Sequence, residues 1–153
     1  MGLEALDWLV QIQQSDKGWI MPIGNQGFYS KGGRISYFDQ QPVEVHALLS
    51  ACLDACRVTK DLKWYRYAMQ SFEWFLGRNA LGVSMYDKVT GGCRDGLHID
   101  RLNENQGAES TLAFVQSLLE IKQFMAEKQV PDKLKANGQK ATPQVVSKYP
   151  RAV

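Results

Sequence analysis

Three carboxylates stand out by their position: Glu44, Glu109 and Asp95. The first two sit in near-twin phrases, DQQPVEVHA from Asp39 to Ala47 and NENQGAEST from Asn103 to Thr111. Each phrase runs polar, Gln, small or Pro, apolar, Glu, and then enters a helical pattern. Two carboxyl groups flanking a glycosidic bond, one as acid and one as base or nucleophile, are what glycoside hydrolysis requires. Glu44, Glu109 and Asp95 are therefore the candidate catalytic groups. Asp39, Gln41, Tyr86, Asp87, His98, Asn105 and Gln106 are the candidate substrate ligands around them. Amides and carboxylates exchange hydrogen bonds with hydroxyls, and flat rings offer a face to the C–H side of a pyranose.

A structural role stands beside each of these. With Gln41 and Gln106 at or near the N-caps, Glu44 and Glu109 fall at the third helical position, from which Glu reaches back to the cap N–H. Such capping does not exclude substrate contact. Asp95 and His98 lie in CRDGLH with Cys93 nearby, but no second cluster at zinc-like spacing accompanies them, so neither metal nor cofactor is expected. His46, one turn into an apolar helix, reads as a satisfied core histidine. The Trp and Phe residues of the outer helices read as core.

The elements that must position these groups follow from periodicity. Leu3, Leu6, Leu9, Val10 and Gln13 mark a one-faced helix from about Leu3 to Gln14. A long loop with turn signals at Gly24-Asn25 and Gly32-Gly33 follows, compatible with a short hairpin. PVEVHALLSACLDACRV, Pro42 to Val58, is apolar nearly all round, and Pro42 suits a first helical position. Asp61 is placed to cap a helix from Leu62 to Leu76, whose stripe is Tyr65, Ala68, Met69, Phe72, Phe75 and Leu76. Gly77 stops it. A second long loop leads to a last helix, about Gln106 to Glu127, with Leu112, Val115, Leu118, Leu119 and Phe124 at core spacing.

This order repeats. Gln41, Glu44 and Leu53 lie 65 positions before Gln106, Glu109 and Leu118, and Asp7-Trp8 lies 66 before Glu73-Trp74. The repeat unit is an αα-hairpin, and antiparallel hairpins packed side by side bring all long connections to one end. Both long loops and the N-termini of both inner helices should share that rim.

Composition bounds the rest. The 153 residues suffice for one domain, 1–127, and the net charge of +2 is too small and too spread for a nucleic-acid or membrane-surface footprint. From Lys128 to Val153 six Lys or Arg face one acid, among several Pro, Gly and Gln, which reads as a flexible basic tail. Three cysteines, two of them spaced i, i+4 in an apolar run, read as buried thiols in a reducing compartment. With neither a signal-peptide pattern nor a membrane-length apolar run, a cytoplasmic protein is expected.

The stretches FDQQPVEVHALLSACLDACRVTKDLKWYRYAMQSFEWFLGRNALGVSMYDKVTGGCRDGLH and NENQGAESTLAFVQSLLEI resemble the C-terminal α/α-toroid region attached to some bacterial glycosyltransferases. More widely they resemble the six-hairpin glycosidase-like superfamily. The resemblance runs from about Leu3 to Lys128. It implies an all-α array of hairpins, a partial α/α toroid with about two of the six hairpins. It also implies a saccharide partner at the rim, met by Gln41, Glu44, Asp95, His98, Asn105, Gln106 and Glu109. The chain lacks a nucleotide-sugar-binding half, so it is expected to be part of a glycosyltransferase or glycoside hydrolase and not catalytic alone. A helical-repeat scaffold for protein interaction is the alternative. Inner helices this apolar need neighbours on both flanks, so a homodimer, or the remainder of a longer chain, is expected.

Overall fold

The computed structural model describes residues 1–27 and 29–127. The proposed tail, 128–153, lies outside the described residues. Four helices carry the fold: α1 (Gly2–Ile12), α2 (Pro42–Thr59), α3 (Leu62–Phe75) and α4 (Ala108–Ala126). Only a two-stranded antiparallel ribbon, β1 (Gly96–Leu97) with β2 (Leu102–Asn103), accompanies them among the described residues. The chain is mostly helical, as its periodicity indicates.

Local chemistry sets the boundaries. Pro42 opens α2 behind an extended Gln41, and Lys60 closes it in the left-handed conformation, its N–H donating to the Cys56 carbonyl. Asp61 caps α3 by accepting from the Lys63 N–H at 2.9 Å. Gly77, at φ +102, takes the chain away from α3 through a conformation that other residues avoid.

Cross-helix pairs fix the directions. Asp7 meets Lys63 at 3.0 Å and Gln14 meets Gln70 at 2.9 Å, so α1 and α3 run parallel. His46 meets Glu120 at 3.0 Å and Arg57 meets Glu127 at 3.2 Å, so α2 and α4 run parallel as well. The short turn at Lys60-Asp61 makes α2 and α3 antiparallel. The first loop (13–41) and second loop (76–107) therefore emerge at one end, where Gln40 and Leu97 bridge them by reciprocal backbone hydrogen bonds of 3.0 and 2.9 Å.

The core lies between α2, α3 and α4. Leu49, Leu53, Trp74, Phe75 and Phe124 are fully buried in it. Phe114 stacks on Phe72 and on Tyr86, with ring centroids 6.1 and 4.6 Å apart. His46 is partly exposed at the α2–α4 seam, satisfied by Glu120 without being deep core.

Three expectations need correcting. Leu112 (56% exposed), Val115 (38%) and Leu119 (58%) do not face the core. Ser110, Ala113, Phe114, Ser117, Ile121 and Phe124 do, because small side chains let α4 approach its neighbours closely. Leu76 is likewise exposed, and Trp64 and Trp74 take its share of the α3 interior. Trp8 is not core either: it lies 37% exposed on α1.

Among its described residues the first loop holds only one antiparallel bridge of its own, Gln14 with Ile20, flanked by the Met21 N–H to Gln13 carbonyl and Ser15 N–H to Trp19 carbonyl bonds, with no bridge at Gly24-Asn25 or Gly32-Gly33. Its turns close instead through Gly33 N–H to the Ser30 carbonyl and Gly24 N–H to the Ser36 carbonyl. Gly24 is pressed against the Phe38 backbone, where any Cβ would collide.

Candidate functional site

The rim is organised by the segment from Phe38 to Gln41, in which burial alternates: Phe38 and Gln40 are buried, Asp39 and Gln41 only partly so. Gln40 is completely buried. Its amide accepts from the Trp74 indole N–H at 2.8 Å and donates to the Tyr37 carbonyl at 2.9 Å, satisfying both ends. Sequence reading passed over Gln40. Its signal was that alternation, hidden in a segment too short to look like a strand.

Pairing Gln40 with Leu97 in an antiparallel bridge puts Asp39 opposite His98 on the outer face. His98 Nδ1 lies 2.6 Å from the Asp39 carboxylate, and both side chains are a quarter exposed. Gln26 approaches the other Asp39 oxygen at 3.5 Å, and the Asn25 N–H donates to the Asp39 carbonyl at 3.0 Å.

A second cluster ties the second loop to α4. Asp95 accepts from the Gly107 N–H at 2.7 Å and from the Asn105 amide. Burial works against its charge, but bonds from Ser110, Gly107 and Asn105 outweigh burial and hold its pKa below the usual value. Asp87 accepts from the Val89 N–H at 2.8 Å and from Gln106 at 3.2 Å, with Arg94 beside it. Those backbone bonds, led by Val89, lower its pKa too. Gln106 also accepts from the Thr90 hydroxyl at 2.6 Å. Asp95, Asp87, Asn105 and Gln106 thus spend their polar groups on each other and on the backbone. Tyr86 spends its ring on Phe114.

Because Asp95 holds the Gly107 N–H, α4 starts one residue later than its twin: its N-cap is Gly107, whereas that of α2 is Gln41. Glu109 falls at the second helical position and Glu44 at the third. Neither makes a hydrogen bond or ion pair among the described residues, so neither closes a capping box. Both carboxylates face the positive end of a helix dipole.

Between α1, α2 and the first loop lies a groove of about 710 Å³. Leu6, Leu9, Ile23, Leu48 and Ala51 make its walls, and Asn25 and Glu44 bring polar groups. Trp8 and Tyr29 stack in it at 6.0 Å between centroids and 21° between planes. Of the three candidate catalytic carboxylates, Glu44 alone lines this groove. Its side chain is exposed on the solvent side, and partial desolvation at the groove raises its pKa.

Cys93 is buried and its thiol is pushed up to about 12, chiefly by desolvation. A thiol so reluctant to ionise is a poor metal ligand. Among the described residues no group of three or more His, Cys, Asp or Glu is placed to hold a metal ion. Likewise no helix there is long and apolar enough to cross a membrane.

The described residues thus form a mostly helical chain in which α1 runs parallel to α3 and α2 to α4, with both long loops at one rim beside an apolar groove. No known protein-family profile matches the chain, and no curated protein shows significant similarity to it.

Proposed function

We propose that this chain is a carbohydrate-active domain, the C-terminal part of a glycosyltransferase-associated or glycosidase-like protein. In this reading its hairpins are about two of the six in an α/α toroid. A saccharide binds at the rim and enters the α1–α2 groove. The observation that carries the reading is Glu44: an unpaired carboxylate in an apolar groove beside stacked aromatic rings. A pyranose lays its C–H face on Trp8 and Tyr29 and directs hydroxyls to Glu44 and the Asn25 amide. Desolvation favours the protonated form of Glu44, which suits a donor to a glycosidic oxygen. Among the described residues no second carboxylate lines the groove, so bond cleavage by this chain alone is not proposed.

NMR titration with monosaccharides and oligosaccharides tests the reading. Resonances of Trp8, Tyr29 and the Glu44 carboxyl should shift, and Trp8→Ala should weaken binding roughly tenfold through the lost ring contact. Glu44→Gln should weaken it as well. If no sugar perturbs a folded chain, the reading is wrong.

A helical-repeat scaffold is the second reading, favoured by the exposed row of Leu112, Val115 and Leu119 on α4. Under it the row and the groove are the two open flanks of an array, filled by neighbouring helices and not by sugar.

A further inference from the structure

The acids on α1 and α2 are matched with one exception. Glu4 pairs with the N-terminal ammonium at 3.2 Å, Asp7 with Lys63 at 3.0 Å and Asp54 with Arg57 at 2.8 Å. Glu44 makes no hydrogen bond or ion pair among the described residues, and desolvation raises its pKa with no cation near enough to oppose it. His46, two residues on, is occupied by Glu120.

The aromatic rings divide in the same way. Trp19, Trp64 and Phe124 each carry a cation over the ring: Lys17, Lys63 and Arg57, at 5.2, 4.6 and 5.3 Å from the centroid. Trp8 and Tyr29 stack on each other and carry no cation among the described residues. Both line the groove that Glu44 lines, and no Lys or Arg lines it among the described residues. The groove is therefore a largely apolar space with one negative charge, two ring faces and no positive group.

Each of these features favours a cation. The carboxylate attracts it directly, ring quadrupoles attract it over their faces, and apolar walls weaken the screening by water. An anion meets repulsion from Glu44. A neutral sugar uses the rings but leaves the charge unanswered.

We infer that the groove takes a saccharide bearing a primary ammonium, an amino sugar, with the ammonium against Glu44 and the C–H face of the pyranose on Trp8 or Tyr29. The inference rests on the saccharide reading above and narrows it, whereas the cation site stands on Glu44 and the two rings. Once bound, the ammonium stabilises the carboxylate and offsets its desolvation. An amino sugar thus meets an ionised Glu44, while a neutral sugar meets a carboxyl that desolvation biases toward the acid.

Three β-1,4-linked trimers separate charge from shape: those of glucosamine, N-acetylglucosamine and glucose, which differ only in the group on the second ring carbon. The chain's net charge of +2 does not by itself draw a cationic ligand. NMR titrations that follow Trp8 and Tyr29, at low ionic strength and a pH where the free amine is protonated, should show the glucosamine trimer binding roughly five- to tenfold tighter than the other two. Added salt should narrow the gap. Glu44→Gln should erase it, whatever that variant does to the binding common to all three. Ala47→Lys, one turn along the same exposed wall, supplies the missing cation from the chain itself and should erase it too. This second variant serves equally if Glu44→Gln does not fold.

Equal affinities for the three trimers, with Trp8 and Tyr29 perturbed, overturn the ammonium inference and leave the saccharide reading intact. A preference that survives both variants overturns it as well, because the attraction then comes from carboxylates elsewhere. If no trimer perturbs the rings, the saccharide reading falls and tetramethylammonium decides the rest. A Glu44-dependent shift of Trp8 by that ion keeps the cation site and removes the sugar, and silence removes both.

Discussion

At the scale of single residues, the rim separates side chains that hold the fold from side chains left with capacity for a ligand. Asp87, Asp95, Asn105 and Gln106 have their hydrogen bonds filled by the protein. Glu44 does not, and its environment gives it a sign that can be measured. Although its side chain is exposed, partial desolvation against the groove raises its pKa above the ordinary 4.5, so ionising it works weakly against folding. Its favourable contribution is complete below 4.5 and disappears as pH rises through the folded value. Glu44→Gln removes that dependence. The variant should be no more stable than the wild type well below pH 4.5 and more stable at neutral pH, as read from urea midpoints across that range. Equal midpoints at every pH would mean that the groove does not desolvate the carboxyl. A substitution that stabilises the chain while weakening sugar binding is what a functional carboxylate predicts, since such groups are kept at some cost to stability.

At the scale of elements, Asp95 does for α4 what a capping-box Glu at the third helical position does, accepting from the N–H of the N-cap residue, although it lies 12 residues away from it. Asp95→Ala should cost about 1–2 kcal/mol, the usual value of a lost cap. Its lowered pKa sets the pH dependence: the contribution is present above the ordinary 3.8 and is lost as pH falls through the folded value. The gap between wild type and variant should therefore hold steady above pH 3.8 and close below it. A gap that stays constant into stronger acid would show that uncharged contacts carry the effect. This cap also shows where sequence reading stops. The four helices, the Pro42 start, the Asp61 cap and the Gly77 stop were legible because each is written within a few residues. The Asp95–Gly107 bond was not, because its partners meet only once the second loop has folded, and it moves Glu109 out of the capping-box position. The buried face of α4 was misread for a different reason. Its leucines satisfy a helical period as well as Ser110, Ala113, Phe114 and Ser117 do, and only close packing chooses between the two faces. The Gln40 latch and the Asp39–His98 pair depend on a bridge between two loops, which no local pattern announces.

At the scale of the whole molecule, α1 runs parallel to α3 and α2 to α4, the arrangement that the proposed hairpin array calls for, and such an array has open ends. On α4 that open side carries Leu112, Val115 and Leu119 at i, i+3 and i+7, each more than a third exposed. One turn of such a row is unremarkable on a surface, but about two turns of aligned large aliphatic side chains is an adhesive strip. In the proposed array the strip would be covered by the next inner helix; among the described residues it is exposed. Sedimentation velocity across roughly 5 to 500 µM should therefore show concentration-dependent association, with Kd in the micromolar range expected of a small apolar contact. Leu119→Lys should abolish it with helical circular dichroism unchanged, because more than half of Leu119 faces solvent. A chain that sediments as a monomer throughout would remove the argument for a scaffold and leave the saccharide groove as the better account of this surface. Association that survives Leu119→Lys but is lost when Trp8 is changed would place the contact in the groove, in direct competition with the sugar.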